Sequence, residues 1–373
     1  MGGFTFCCGD MGPVMEAKGT VTNEILEMIE DDPRVCYINA DGTGRGGRVQ
    51  QAQLRYPDRI LDVGIQEMNM VTIAAGLAKE GFLPYVQTFG PFLCVRALDQ
   101  IHNDVAYNDY PVRLIGTHAG LSSGYGPTHN TIIEFGVMNS LPNMTMVAPC
   151  DAEQCKKLLR KSLNYPKPIY IRIPRGEEPL VYAADHDYDY EIGKAIVIQE
   201  GTDLNFIATG MGVYNCVQAA RQLEEKGYSV GVIDMHTIKP IDKDAVVHAA
   251  KLSGNIITVE DHNILGGLGS IVADTLLEAG VFAKLKKIGV PDKFIEFGYP
   301  EEIYPALGMD ASGIYKTALE VLKYASSFRN PEKSFIVCAG AAERRPGSDH
   351  CVLWECSDRA FPQTGKEKGM RPL

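Results

Sequence analysis

One tryptophan, Trp354, is all that 373 residues carry, and aromatic residues together make up only 8% of the chain. No apolar run reaches the ~18–20 residues that a membrane-spanning helix needs, so a membrane is not expected as a partner. Positive charge is in deficit, with 36 Lys and Arg against 47 Asp and Glu and a net charge of -11. That balance argues against nucleic acid as a partner, although a local basic pocket can still take an anion. The opening MGGFTFCCGDMGPVM lacks the charged and apolar regions of a secretory signal. Cysteine is not scarce, at ten, but no C-x-x-C spacing occurs, which leaves zinc and redox motifs without support. Cys36, Cys94, Cys150, Cys155 and Cys216 stand in apolar or helical surroundings and read as small buried hydrophobes. A reduced, cytoplasmic protein is expected.

What is present is core-forming material, 45% hydrophobic, enough for two domains. From residue 19 to about residue 175, short apolar runs alternate with amphipathic stretches: VCYIN, RILDV, LPYVQ, VRLIG, MTMVA and IYIRI are strand-like. Helices are expected over residues 20–29, behind Glu67, through Asp99 and Val105, over 128–139 and after Asp151. Such alternation signals a parallel sheet wound by helices on both faces. The aperiodic stretch 177–191 reads as a linker. A second alternating unit follows, with FIATG, SVGVID, NIITVED and LKKIGV as strands and a last helix over 312–324. The fold class expected is α/β, with two doubly wound domains of mainly parallel sheet over residues 16–180 and 192–325. Residues 326–373 lack periodicity and read as an extension of unknown role.

Several segments carry candidate chemistry, each beside a plainer reading. In DVGIQEMNMVTIAAGLAKEG (62–81), Glu67 falls in the first turn of a helix, where the macrodipole favours its charge. By itself that is most simply a capping or solvated carboxylate. TGMGVY (209–214) and ILGGLGS (264–270) follow strands and open helices, but neither has the glycine spacing of a dinucleotide site, so both read as tight turns. TFGPFLCVRALDQ sets Phe89, Phe92 and Arg96 just after a strand end, and helix aromatics are usually core. THAG holds His118, GYGPTHN holds His129, IYIRIPRGE holds Arg172 and Arg175, and Lys18 precedes the first helix. Strand alternation sends Arg172 and Arg175 to different environments.

Taken together, these motifs resemble one family. DVGIQE followed by AAGLA is similar to the pyrimidine-binding segment of thiamine-diphosphate enzymes of the transketolase and deoxyxylulose-phosphate synthase group. GPTH, the Phe-rich stretch, VEDHNILGGLGS and GYPEEIYPALGMDASGI extend the resemblance over residues 16–325. It implies that 16–180 is a pyrimidine-binding domain and 192–325 a transketolase C-terminal domain. It further implies that Glu67 bonds the aminopyrimidine and starts catalysis, with Phe92, Phe89 and Arg96 around the ring. His129 is expected to contact the donor hydroxyl, and His118, Arg175 and, on a weaker alignment, Lys18 the substrate phosphate. Guanidinium suits phosphate because its planar donors bind two oxygens at once.

The metal-and-diphosphate half of such enzymes, G-D-G followed by Asn, is missing. At Asp41-Gly42 the first glycine is Ala40, and Asn69 shares a helix with Glu67. No metal ligand is therefore expected here. The resemblance implies the C-terminal subunit of a split transketolase, dependent on an N-terminal subunit that carries the Mg²⁺ ligands. The assembly expected is a heterotetramer with a homodimeric core, moving a two-carbon ketol unit from a ketose, a sugar phosphate, to an aldose. Where transketolases have Gly-Glu-Asp before Gly-Pro-Thr-His, this chain reads Ser123-Gly124-Tyr125-Gly126 and lacks the acid. That departure keeps a non-catalytic assembly paralogue open as an alternative, and the shared two-domain layout keeps open a 2-oxo acid dehydrogenase β subunit, against which GPTH and His118 argue.

Overall fold

A computed structural model describes residues 14–41, 47–122, 126–183, 188–296 and 298–328. Gly42, Ser123-Gly124-Tyr125 and the extension from 329 onward lie outside the described residues. The chain up to Ser326 forms one compact unit, built on two large sheets.

The first sheet has seven strands in the order Thr237–Lys239, Thr145–Val147, Ile169–Arg172, Arg113–Thr117, Leu83–Phe89, Val35–Asn39 and Ile60–Asp62. All its pairings are parallel except the one made by Thr237–Lys239. Val35–Asn39, Arg113–Thr117 and Ile169–Arg172 are buried at every residue, as strands covered on both faces must be. On one face the Glu67–Lys79 helix buries Met70, Val71, Ala74, Ala75 and Ala78. The small side chains let its axis lie close to the sheet, which fixes where its first residue, Glu67, emerges. On the other face Ala17–Asp31 and Ala152–Ser162 share a core with Val35, Tyr37 and Ile169. Asp151 caps the latter helix, accepting from Gln154 N at 2.7 Å.

The second sheet runs Lys284–Val290, Asn255–Asn263, Leu204–Ala208, Val230–Asp234 and Ile196–Gln199, parallel except at the last. Helices Gly212–Glu224, Lys243–Ser253 and Leu268–Glu278 cover it.

The architecture matches the expected fold class, and it differs from the sequence reading in four places. The helix expected over 128–139 is helical only at Glu134–Asn139, because the Gly-Pro turn before it carries residues 127–129 through a tight turn and Thr131 into bridges with Ala119 and Gly120. The helix through Asp99 and Val105 is unwound twice into wider π-helical segments, Phe92–Arg96 and Ile101–Ala106. The 177–191 linker is tied down: Glu177–Pro179 pairs with Val14–Glu16, and Tyr182 and Tyr190 are buried. Lastly, Thr237–Lys239 leaves the second unit to become an edge strand of the first sheet, paired with Thr145–Val147.

Candidate active site

Glu67 stands at the N-terminus of its helix, 3% exposed, and its Oε2 accepts from Arg96 Nη1 at 2.8 Å. The Arg96 guanidinium in turn lies over the Phe92 ring, 4.1 Å from its centroid. The wider π-helical turn of Phe92–Arg96 brings the guanidinium over the ring within one turn. A small pocket of about 130 Å³ is lined by Glu67, Phe89 and Phe92 together with Ala40, Asp41, Ile65 and Thr88. One buried carboxylate facing two aromatic rings is the surrounding a flat, nitrogen-bearing heterocycle requires: an apolar face to lie on and a single polar group at its edge. The pocket fits the aminopyrimidine of thiamine diphosphate in that chemical sense.

The aromatic wall continues. Phe89 and Phe92 stack at 5.4 Å between centroids, Phe89 meets His118 at 4.0 Å, and His129 lies edge-on to both, at 5.4 and 5.5 Å. His118 follows the end of Arg113–Thr117 in the left-handed region, φ 59°, a costly backbone for a residue with a side chain. The next turn is forced as well. Gly120, at φ +65°, runs so close to the Asp261 carboxylate that a Cβ there would collide with it.

Charge converges at the same end of the sheet. Burial first, and then the positive charges of Lys18 and Arg175, push His118 down to about 3, so its ring is neutral at pH 7. Lys18 is lowered by burial and by Arg175, with Glu16 opposing. Lys18 comes within reach of Arg175 because Val14–Glu16 pairs with Glu177–Pro179, the ribbon that the sequence did not disclose. Ser122 Oγ accepts from the Arg175 backbone N–H at 2.9 Å, holding the loop after the strand.

All eight residues singled out from sequence thus belong to one end of the first sheet. Glu67, Phe89 and Phe92 line the pocket, Arg96 holds the Glu67 carboxylate, His129 lies edge-on to both rings, and Lys18 and Arg175 bring positive charge to neutral His118 beside it. Asn69 is exposed. Arg172 is buried, its Nε donating to Glu134 Oε1 at 2.7 Å and its Nη2 to the Asp261 carbonyl. Tyr304 donates to Asp261 Oδ2 at 2.8 Å. Sequence reading missed Glu134, Asp261 and Tyr304, since their partners lie far away along the chain. The one available signal was the run of acid and histidine in VEDH.

Comparison with known proteins follows the same division. Residues 15–179 match the family described as transketolase, pyrimidine binding domain, and residues 193–314 that described as transketolase, C-terminal domain. The chain is 38% identical over 311 residues to one subunit of the apulose-4-phosphate transketolase of Phocaeicola vulgatus, covering 83% of this chain and 98% of that protein. It is 32% identical over 305 residues to the 6-deoxy-6-sulfo-D-fructose transketolase subunit SqwH of a Clostridium species, covering 82% and 94%. A solved structure described as a split gene transketolase, inactive beta4 tetramer, superimposes with a TM-score of 0.75 at 29% identity, over 83% of this chain and 99% of the other.

Proposed function

The chain belongs to the transketolase family, and on that premise we propose that it is the C-terminal subunit of a two-chain transketolase that uses thiamine diphosphate. In this reading residues 16–180 are the pyrimidine-binding domain and 192–325 the C-terminal domain, and 326–373 is an extension. The partner is an N-terminal subunit that supplies the diphosphate site and the Mg²⁺ ligands, in a cytoplasmic heterotetramer with a homodimeric core. The reaction moves a two-carbon ketol unit from a phosphorylated ketose to an aldose. The observation that carries the reading is continuity: one aromatic wall joins the Glu67 pocket to the Lys18, His118 and Arg175 group.

When bound, thiamine diphosphate supplies the electron sink for carbon–carbon cleavage. This chain does the rest of its half. Glu67 shares a proton between its carboxylate and a pyrimidine ring nitrogen and so controls the tautomer. Arg96 holds that carboxylate in place, and Phe89 and Phe92 keep water from the ring. His129 orients the donor hydroxyl. Arg175 and Lys18 offset the phosphate charge, whereas neutral His118 contributes a hydrogen bond and no charge.

Partner dependence is the direct test. A relative described as an inactive β4 tetramer supports it. Calorimetric titration of this chain alone with thiamine diphosphate and Mg²⁺ is expected to give weak binding and no turnover, and addition of the N-terminal subunit to restore both. Full turnover by the isolated chain would overturn the split-subunit reading.

A further inference from the structure

Near its end, the strand Asn255–Asn263 carries three consecutive buried polar residues, and each grips a different piece of chain. Glu260 accepts from Leu268 N at 2.7 Å and Gly269 N at 2.9 Å, capping a helix of its own domain. His262 Nε2 accepts from Phe135 N at 3.1 Å, where Glu134–Asn139 begins. Asp261, which strand alternation points the other way, reaches the turn that carries His118. The reaction described above gives this carboxylate no part.

The turn at residues 118–122 needs holding, because His118 at φ 59° and Gly120 at φ 65° both lie in the left-handed region. Ala119 N donates to Ile173 O at 3.2 Å and Gly120 N to Thr131 O at 2.7 Å, both acceptors in the first domain. Leu121 N donates instead across to the second sheet, to Asp261 Oδ2 at 3.1 Å and Oδ1 at 3.2 Å. Asp261 is itself fixed. Tyr304 OH donates to Oδ2 at 2.8 Å, and Arg172 donates to the backbone carbonyl while its Nη2 stands 3.9 Å from Oδ2. Burial pushes this carboxyl above the usual range, and Arg172, Tyr304 and the Leu121 N–H oppose the push. The fit leaves no space for a methyl group at Gly120.

What the turn carries is the anion-facing end of the site. Besides the His118 ring it presents Ser122, whose Oγ donates to Ala119 O at 2.7 Å and accepts from Arg175 N at 2.9 Å. Moving the turn therefore moves the ring and the Arg175 backbone together.

We propose that Asp261 is a positioning residue: from the second sheet it locks the 118–122 turn, and through that turn it aims His118 and Arg175 at the donor's phosphate. The phosphate in this statement rests on the transketolase reading, whereas the hold of Asp261 on His118 does not.

Two measurements test it. In the full chain alone, with ¹⁵N-labelled histidine and His118 assigned through His118→Gln, NMR follows the titration of the ring. The ring is enclosed by Phe89, His129 and Thr117 Oγ1, with Lys18 and Arg175 as the nearby cations. Asp261→Ala frees the turn and admits water, so His118 should titrate well above about 3, toward its ordinary 6.5. Asp261→Asn keeps an oxygen for Leu121 N and should restore the wild-type titration. If Asp261→Ala does not fold, Asp261→Ser answers the same question, being too short for Leu121 N but polar beside Arg172 and Tyr304. In the assembled enzyme, Asp261→Ala should raise KM for a phosphorylated donor about tenfold and leave kcat and the use of hydroxypyruvate near wild type, with Asn recovering most of the loss. Unchanged His118 titration in Ala and Ser would overturn the proposal. So would equal losses on the two donors, or the same His118 shift in Glu260→Gln, which loosens only the neighbouring helix cap. A wild-type assembly without ketol transfer would sink the transketolase reading and leave the His118 titration to decide the hold of Asp261.

Discussion

Glu67 and Arg175 are the two side chains on which the proposed chemistry turns, and each makes a separable prediction. Glu67→Gln keeps the volume of a side chain that is 3% exposed but cannot share a proton as a carboxyl does. Deuterium exchange at the thiazolium C2 of the cofactor, in the assembled enzyme, is expected to slow by orders of magnitude while the variant folds. An unchanged rate would mean that another group controls the tautomer. Arg175→Ala removes one charge-assisted partner, about 1.5–3 kcal/mol. KM for a phosphorylated donor should therefore rise roughly ten- to a hundredfold, with little change for hydroxypyruvate. Equal losses on both substrates would make Arg175 structural. At this scale the sequence was most informative, because motif residues sit next to strand ends and strand ends gather at one edge of a parallel sheet. It was silent on Glu134, Asp261 and Tyr304. Their contacts join residues 38 to 89 positions apart, and no local pattern encodes such pairs.

Among the elements, long apolar runs and amphipathic helices were readable, and short pieces were not. The Gly47–Arg55 helix and Pro300–Ala306 gave no usable periodicity, and Val14–Glu16 and Thr237–Lys239 are three-residue strands defined by their partners alone. The linker after the first sheet looked structureless because its anchor is a side chain from another element. Asp151 accepts from Gln154 N at the helix start and also from Val181 N at 2.7 Å and Tyr182 N at 3.0 Å. Asp151→Ala uncaps a helix and strands buried N–H groups together, so urea denaturation should report a loss of about 2–4 kcal/mol. Asp151→Asn retains an acceptor and should lose clearly less. Equal losses in the two variants would mean that one amide oxygen cannot stand in for the two carboxylate oxygens, Oδ1 toward the helix and Oδ2 toward the linker.

For the molecule as a whole, a fully buried acid ties the second sheet to the first domain and its linker. Asp234 Oδ2 accepts from Gln154 Nε2 at 2.7 Å and from Tyr182 OH at 2.8 Å, and burial, reinforced by nearby Asp151, raises the group to about 7. The unfolded chain holds this proton only below about pH 3.9. The folded state therefore binds more protons between those values. The stability it contributes is fully present below the unfolded pKa and is lost as pH rises through about 7. Asp234→Asn should remove that component, so its Tm deficit relative to wild type, if any, should shrink or reverse between about pH 5 and pH 8. A deficit that is constant with pH would refute the assignment.

The strand Thr237–Lys239 also decides where this polypeptide can be broken. It is made by the later part of the chain yet closes the earlier sheet, hydrogen-bonded along Thr145–Val147 and anchored by Lys239 Nζ to the carbonyls of Asn139 and Leu141 at 2.8 and 2.6 Å. A gene cut in the linker, where composition alone would place the scissors, would deliver a first fragment with a naked edge and a second with a dangling strand. Bare edges recruit one another. Expressed alone, residues 14–192 should aggregate, and co-expression with 193–328 should rescue them. Inheritance can deal these two domains to a separate gene together, but it has no free seam at which to deal them apart.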